Sequence, residues 1–259
     1  DRMVDRYTEH LFREILVPVS GSPGGWQALE QAIRIAAREN ADLHGLHVVL
    51  RKKDLDSPHV QEVQAQFNQR CQAAGVSGSL ATERGEIAAQ VVQRALLSDL
   101  VVLSVEHPPA GGLSSLGSGL RTIIWRTARP ILTVPGMTSP MDNAILAYDG
   151  SLKSREALFI AAYLAERWQT RLTVVTASQG NLKPSVQDDA KKYLDLHEIQ
   201  AEYIFEKGGL EIFPALITER QANLVLLGSY GGSVWQEVML GSLVNLLLRQ
   251  AACPLLICR

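Results

Sequence analysis

The sequence predicts an α/β chain built as two tandem, doubly wound, parallel-sheet domains related by a pseudo-twofold axis. Three observations predict it. The chain repeats itself at the scale of a domain. Within each repeat, apolar runs of strand length alternate with apolar residues at helical spacing. The 259 residues also match two ordinary domains, or one large one.

The repeat is traced by paired segments. EILVPVSGS at 14–22 resembles AILAYDGS at 144–151, and Ala28 and Leu29 match Ala157 and Leu158. ERGEI at 83–87 matches EKGGLEI at 206–212, and SDLVVLS at 98–104 matches ANLVLLGS at 222–229. LGS recurs at 116–118 and 240–242, and ARPILTVP at 128–135 matches ACPLLICR at 252–259. The expected organisation is an N-terminal extension at 1–13, a first domain at 14–139 and a second at 140–259. The segment GMTSPMDN at 136–143 is rich in turn formers and joins the two.

In the second repeat, Ala144–Tyr148 is an apolar run of strand length, and Gly150 and Ser151 turn the chain. Arg155–Trp168 carries Ala157, Leu158, Ala161, Leu164, Ala165 and Trp168 at helical spacing. Leu172–Ala177 reads as a strand, 186–197 as a polar helix, Ala201–Phe205 as a strand and Ile212–Arg220 as a helix. Leu224–Leu227 leads into a glycine-rich loop, and helix Leu243–Arg249 and strand Leu255–Cys258 close the repeat. Continuous apolar strands between helices imply a parallel sheet covered on both faces. The ligand site of such a sheet lies beyond the carboxyl ends of its strands, where the strand order reverses.

Composition excludes several classes. A formal net charge of -2 without a basic stripe argues against nucleic acid as a partner. No apolar run reaches the length of a bilayer span, and no signal-peptide pattern opens the chain. The first residue is Asp1 rather than Met, so a processed product or a piece of a larger protein is expected. Cys71, Cys253 and Cys258 lack metal-ligand spacing and read as small core residues in a reducing compartment, the cytoplasm. Six histidines, at 10, 44, 47, 59, 107 and 197, are scattered, and His44 and His47 fall on opposite faces of one strand. No metal site is expected. Residues 51–69 read as a solvated loop and helix. Trp26, Trp125 and Trp168 read as packing residues, while Trp235 either covers a ligand or simply packs. Residues 1–13 suit a short amphipathic helix that either links upstream or packs on the second repeat.

The chemistry is concentrated at 224–248, LVLLGSYGGSVWQEVMLGSLVNLLL. Gly228, Gly231, Gly241 and Ser242 form the spacing Gly-x2-Gly-x9-Gly-Ser. Gly228 ends a buried strand where a side chain is expected to block a ligand. Gly231 and Gly241 let successive backbone N–H groups converge on an anion. Ser242 falls at a helix start, where its hydroxyl and the free N–H groups suit a phosphate. The loop is neither a Walker A sequence nor the tight glycine triplet of a dinucleotide fold.

On these residues the chain resembles a tandem universal stress protein. The family's nucleotide motif has this same spacing, and the strand ending in YDGS and the closing CPLLIC are also similar to the family. The resemblance implies an adenine nucleotide, ATP or else ADP or AMP, with an accompanying Mg left open. It implies that Asp149 lies near the adenosine, that Ala147 and Tyr148 lie beside the base, and that Ala177 meets adenine through its backbone. Leu227 and Ser229 would flank the first glycine, and Leu243 would follow Ser242. Asp149 also has a plainer reading, as a turn or capping residue before the first helix.

The first repeat departs from this pattern. Ser20 stands for Asp149, Ser104 for Gly228 and His107 for Gly231, with Glu106 adding a negative charge; only Gly117 and Ser118 match Gly241 and Ser242. One nucleotide per chain, held by the second repeat, is therefore expected. Single-domain members of the family pair through their last strand, so Ile131–Val134 and Leu255–Cys258 are expected to pair within this chain; further homodimerisation stays open. Three functions remain: a nucleotide-dependent stress or signalling protein, a slow ATPase for which no base or arginine finger is evident, and a regulatory module of a larger transporter or kinase.

Overall fold

The computed structural model describes residues 10–105, 118–178, 180, 182–228, 243–250 and 252–258. The first repeat runs β1 (Glu14–Pro18), α1 (Pro23–Glu39), β2 (Asp42–Val49), α2 (Pro58–Ala74), β3 (Gly78–Arg84), α3 (Ile87–Ala95), β4 (Leu100–Ser104), α4 (Ser118–Arg126) and β5 (Ile131–Val134). The second runs β6 (Asn143–Ala147), α5 (Leu152–Trp168), β7 (Arg171–Ser178), α6 (Asp188–Leu196), β8 (Ala201–Lys207), α7 (Ile212–Glu219), β9 (Leu224–Gly228), α8 (243–250) and β10 (Leu255–Cys258).

All ten strands form one sheet in the order β3-β2-β1-β4-β5-β10-β9-β6-β7-β8. Each half is parallel and reads 3-2-1-4-5 outward to the junction, the doubly wound order expected of alternating strands and helices. At the junction β5 and β10 are antiparallel, with Leu255, Leu256 and Ile257 opposite Thr133, Leu132 and Ile131. The expected pairing of the two last strands therefore holds, and it fuses two sheets into one. An edge that each half would leave unpaired is closed by the other.

Two apolar layers cover the sheet. One collects Ala28, Leu29 and Ala32 of α1, Val63 and Phe67 of α2, Ala157, Leu158 and Ala161 of α5, and Ala190 and Leu194 of α6. The other collects Ala88 and Val91 of α3, Ile123 and Ile124 of α4, Phe213 and Leu216 of α7, and Val244 and Leu247 of α8. Corresponding helices of the two halves thus lie on the same face.

The sequence reading needs local amendment. α5 starts at Leu152, three residues before the expected Arg155, because Ser151 caps it by accepting from Ser154 N at 3.2 Å. The polar helix is preceded by a 3-10 turn, Pro184–Gln187, and α6 itself starts at Asp188. Residues 51–69 are not wholly solvated, since Val60, Val63 and Phe67 bury one face of α2. Trp125 is exposed rather than packed inside. The turn-rich joining segment is held in place: Gln31, buried on α1, exchanges hydrogen bonds with Ser139 N (2.6 Å) and Ser139 O (3.2 Å).

The start of the described chain packs on both halves. Phe12 is buried against the rings of Tyr163 and Trp168 on α5. Glu39, the buried last residue of α1, accepts from Leu11 N (3.0 Å), Phe12 N (3.2 Å), Tyr163 Oη (2.8 Å) and Trp168 Nε1 (2.7 Å). Of the two readings of residues 1–13, packing against the second half holds for this described part.

Candidate functional site

The strand order of the second half reverses between β6 and β9, and a ligand of such a sheet is expected beyond the carboxyl ends of the strands at that point. Asp149 follows β6 at this point. Its Oδ1 accepts from Ser151 N at 3.0 Å, the turn contact of an aspartate two residues before a helix cap. Among the described residues Oδ2 has no protein partner. The turn reading and the ligand reading therefore divide the carboxylate: one oxygen shapes the chain and the other remains available. Gly150 sits at φ +79, and a Cβ there would lie 2.8 Å from Val186 Cγ2, so only glycine makes this turn.

Ala147, Ala177, Leu227 and Leu243 are all buried in the same apolar layer. The structure thus brings together four of the residues that the resemblance implied, from β6, β7, β9 and α8. Tyr148 is different. Alternation along the strand turns its side chain to the opposite layer, with Ala157 and Leu158. Its backbone is engaged as well: Tyr148 N donates to Val175 O at 2.9 Å, and Thr176 Oγ1 donates to Tyr148 O at 2.7 Å. The side chain of Tyr148 thus faces away from the layer of Ala147, Ala177, Leu227 and Leu243. Ser229, Gly231, Gly241 and Ser242 lie outside the described residues, as do Trp235, Glu106, His107 and Gly117.

Gly228 has a different physical reason from the expected one. A Cβ on it would lie 2.7 Å from Lys153 Cβ and 2.7 Å from the Lys153 carbonyl carbon, in the first turn of α5. The glycine lets strand and helix approach. The first half solves the same contact in reverse. Ser104 occupies the strand end, and Gly24 stands in α1 where Lys153 stands in α5, since a Cβ on Gly24 would strike Ser104 Oγ. Ser104 is thus explained by packing, and this compensating pair was missed in the sequence although Gly24 was visible there.

The first half also keeps the turn. Ser20 Oγ accepts from Ser22 N at 3.3 Å, as Asp149 Oδ1 accepts from Ser151 N. Beyond these strand ends lies a cavity of about 430 Å³, lined by Ser20, Ser104, Leu46, Leu103, Val91 and Ile123 among others. The scaffold of the site persists in the first half, whereas the carboxylate does not.

Thr176 and Gln187 were also missed. Gln187, buried in the 3-10 turn, donates through Nε2 to Thr176 Oγ1 (3.1 Å) and Ile204 O (2.8 Å), tying the chain after β7 to the sheet. No motif flags a single buried glutamine. His44 and His47 have separate partners, Glu14 for the one and, for the other, the Val19 carbonyl, to which His47 Nδ1 donates at 2.7 Å. Among the described residues no cluster of three or more His, Cys, Asp or Glu is placed to hold a metal.

Comparison with known proteins decides the family. The sequence profile described as "Universal stress protein family" matches twice, at residues 11–135 and 141–259. The chain belongs to the universal stress protein family. It is 26% identical over 147 residues to universal stress protein Slr1230 of Synechocystis sp., covering 54% of this chain and 50% of that protein. The chain thus spans about half the length of that relative. Among solved structures it resembles a universal stress protein from Archaeoglobus fulgidus, with a TM-score of 0.77, 17% identity, and 96% and 97% of the two chains covered. It also resembles the protein PA1789 from Pseudomonas aeruginosa, described as functionally unknown, with a TM-score of 0.73, 14% identity, and 98% and 94% covered. At such identities these likenesses show the fold. Among the described residues no helix is long and apolar enough to cross a membrane.

Proposed function

We propose that the second half binds an adenine nucleotide, ATP foremost, and that the protein acts in a stress response or in signalling through a shape or partner affinity that follows the bound nucleotide. A ligand shifts such an equilibrium only by its differential affinity for the two states. The observation that carries the reading is Asp149, whose carboxylate stands at the reversal of strand order with one oxygen fixed by the turn and the other without a partner among the described residues. That oxygen suits a ribose hydroxyl or a base amine. Ala147 and Ala177 are small side chains at the adjoining strand ends, which suits a flat base. β9 ends at Gly228, the first residue of the Gly-x2-Gly-x9-Gly-Ser spacing, so the phosphate-binding sequence starts beside the carboxylate. The free, buried cysteines agree with a cytoplasmic setting.

Equilibrium titration of the whole chain with ATP tests this. The expected stoichiometry is near one per chain. Asp149→Asn should weaken binding about tenfold, the loss of one charge-assisted hydrogen bond. The double variant Gly231→Val/Gly241→Val should abolish binding in a folded protein, while Gly117→Val should leave it unchanged. Undiminished affinity in the folded double variant, or two equivalent sites, would overturn the reading.

A further inference from the structure

Tyr148 is 2% exposed; the Arg155 guanidinium lies beside its hydroxyl and can only donate, so the phenol's own proton has no acceptor among the described residues. A buried hydroxyl left so is costly, and it lacks the usual partner of a buried tyrosine. It opens on a groove of about 280 Å³ between α5 and α6, on the sheet face opposite the proposed nucleotide site. Arg155 and Lys192 supply positive charge to this groove, and Phe159 and Tyr193 supply ring surface, their centroids 5.0 Å apart. Asp189 is already bound to Arg155 at 2.8 Å, so its charge is compensated. Lys192 is exposed and has no acidic partner within ion-pair distance among the described residues, so the lining side chains sum to one positive charge, with the Asp149 carboxylate also acting on Tyr148 from outside the lining. Burial raises the Tyr148 pKa, keeping the phenol a neutral donor.

We propose that this groove binds a small monoanionic carboxylate carried on a flat apolar body, with Tyr148 Oη as the donor and Lys192 as the counter-charge. The volume is below that of a drug-sized pocket and suits a single ring with its carboxylate. The first half lacks the hydroxyl at this position. Val19 stands where Tyr148 stands, and His59 and Val63 of α2 press on the Gly21 turn beside it.

The test is titration of the full chain with benzoate and with its neutral isostere benzamide, followed through the methyl resonances of Leu158 and Leu196, which line the groove. Benzoate should shift both methyls with a Kd on the order of 1–10 mM, as befits so small a ligand. Benzamide should bind about tenfold more weakly, because it lacks the charge. Tyr148→Phe keeps the ring and removes only the hydroxyl; it should weaken benzoate about tenfold. Lys192→Gln, at an exposed position that cannot endanger the fold, should weaken it and abolish its salt dependence. Equal binding of benzoate and benzamide would overturn the proposal. So would wild-type affinity in both variants, shifts confined to Leu227 and Leu243 on the other face, or no shift by about 50 mM.

Discussion

Gly228 and Lys153, against Ser104 and Gly24, are one contact solved in two ways. The φ of Gly228 is not in the left-handed region, so space alone excludes a side chain there. Gly228→Ser should therefore lower the stability to urea by about 1–3 kcal/mol, the usual cost of forcing atoms into a packed contact. Adding Lys153→Gly should recover part of that loss by removing the Cβ that the serine meets; the Lys153 carbonyl still crowds it, so recovery stays incomplete. A double variant no more stable than Gly228→Ser would show that the two halves do not exchange this contact. The cysteines make a second prediction at this scale. Burial pushes the Cys253 thiol up to about 12 and raises Cys258 and Cys71 as well. Thiols so shifted hold their protons at neutral pH, and only the thiolate reacts. Iodoacetamide at pH 7 should leave the native protein unlabelled at all three positions and label all three once urea unfolds it.

Among the elements, the antiparallel contact of β5 with β10 decides the most. β10 lies between β5 and β9, so its backbone is called on from both sides. Leu256→Pro removes a ladder N–H from a central strand and should cost on the order of 3 kcal/mol. Calorimetry should then show the halves melting separately, where the parent chain melts in one transition. A single unshifted transition in this variant would mean that the junction does not couple the halves. The turn at 149–151 is the other decisive element, since it places Asp149, the cap Ser151 and the start of α5 within one hydrogen-bonded unit. A serine serves the same turn at Ser20, so the turn does not itself require a carboxylate.

For the whole molecule, Glu39 is the lock between the halves. Four donors from the lead-in and from α5 converge on a carboxylate of the first half, and the Arg38 guanidinium lies 5.1 Å from the centre of the Trp168 ring. Glu39→Ala strands those donors and should cost about 3 kcal/mol in urea unfolding. The same cluster has a pH signature. Burial, aided by Glu39, pushes the Tyr163 pKa from 10.0 to about 12. The folded state then holds this proton more tightly than the unfolded chain does. Its contribution is complete below pH 10.0, fades as pH rises, and is gone beyond about 12. Tyr163→Phe should flatten the loss of stability across that window; an unchanged slope would place the alkaline sensitivity elsewhere.

Much of this was written locally. Repeats, strand runs and helical spacing determined the two-domain organisation and the doubly wound class, because both rest on short-range periodicity; the pairing of the last strands followed from the family resemblance and from an edge that must be closed. The Gly-x2-Gly-x9-Gly-Ser spacing, which starts at the end of β9, and the family resemblance that singles out Asp149 named the candidate site. Only the tertiary structure decided that Tyr148 faces the other layer, that Gly228 serves a helix, that Gln31 pins the joining segment, and that Glu39 binds the halves together. Each of these depends on which atoms meet across more than twenty residues of sequence or between sheet and helix. A contact between distant segments leaves no period in the chain, and a buried polar side chain looks like a surface one until its partners are in place.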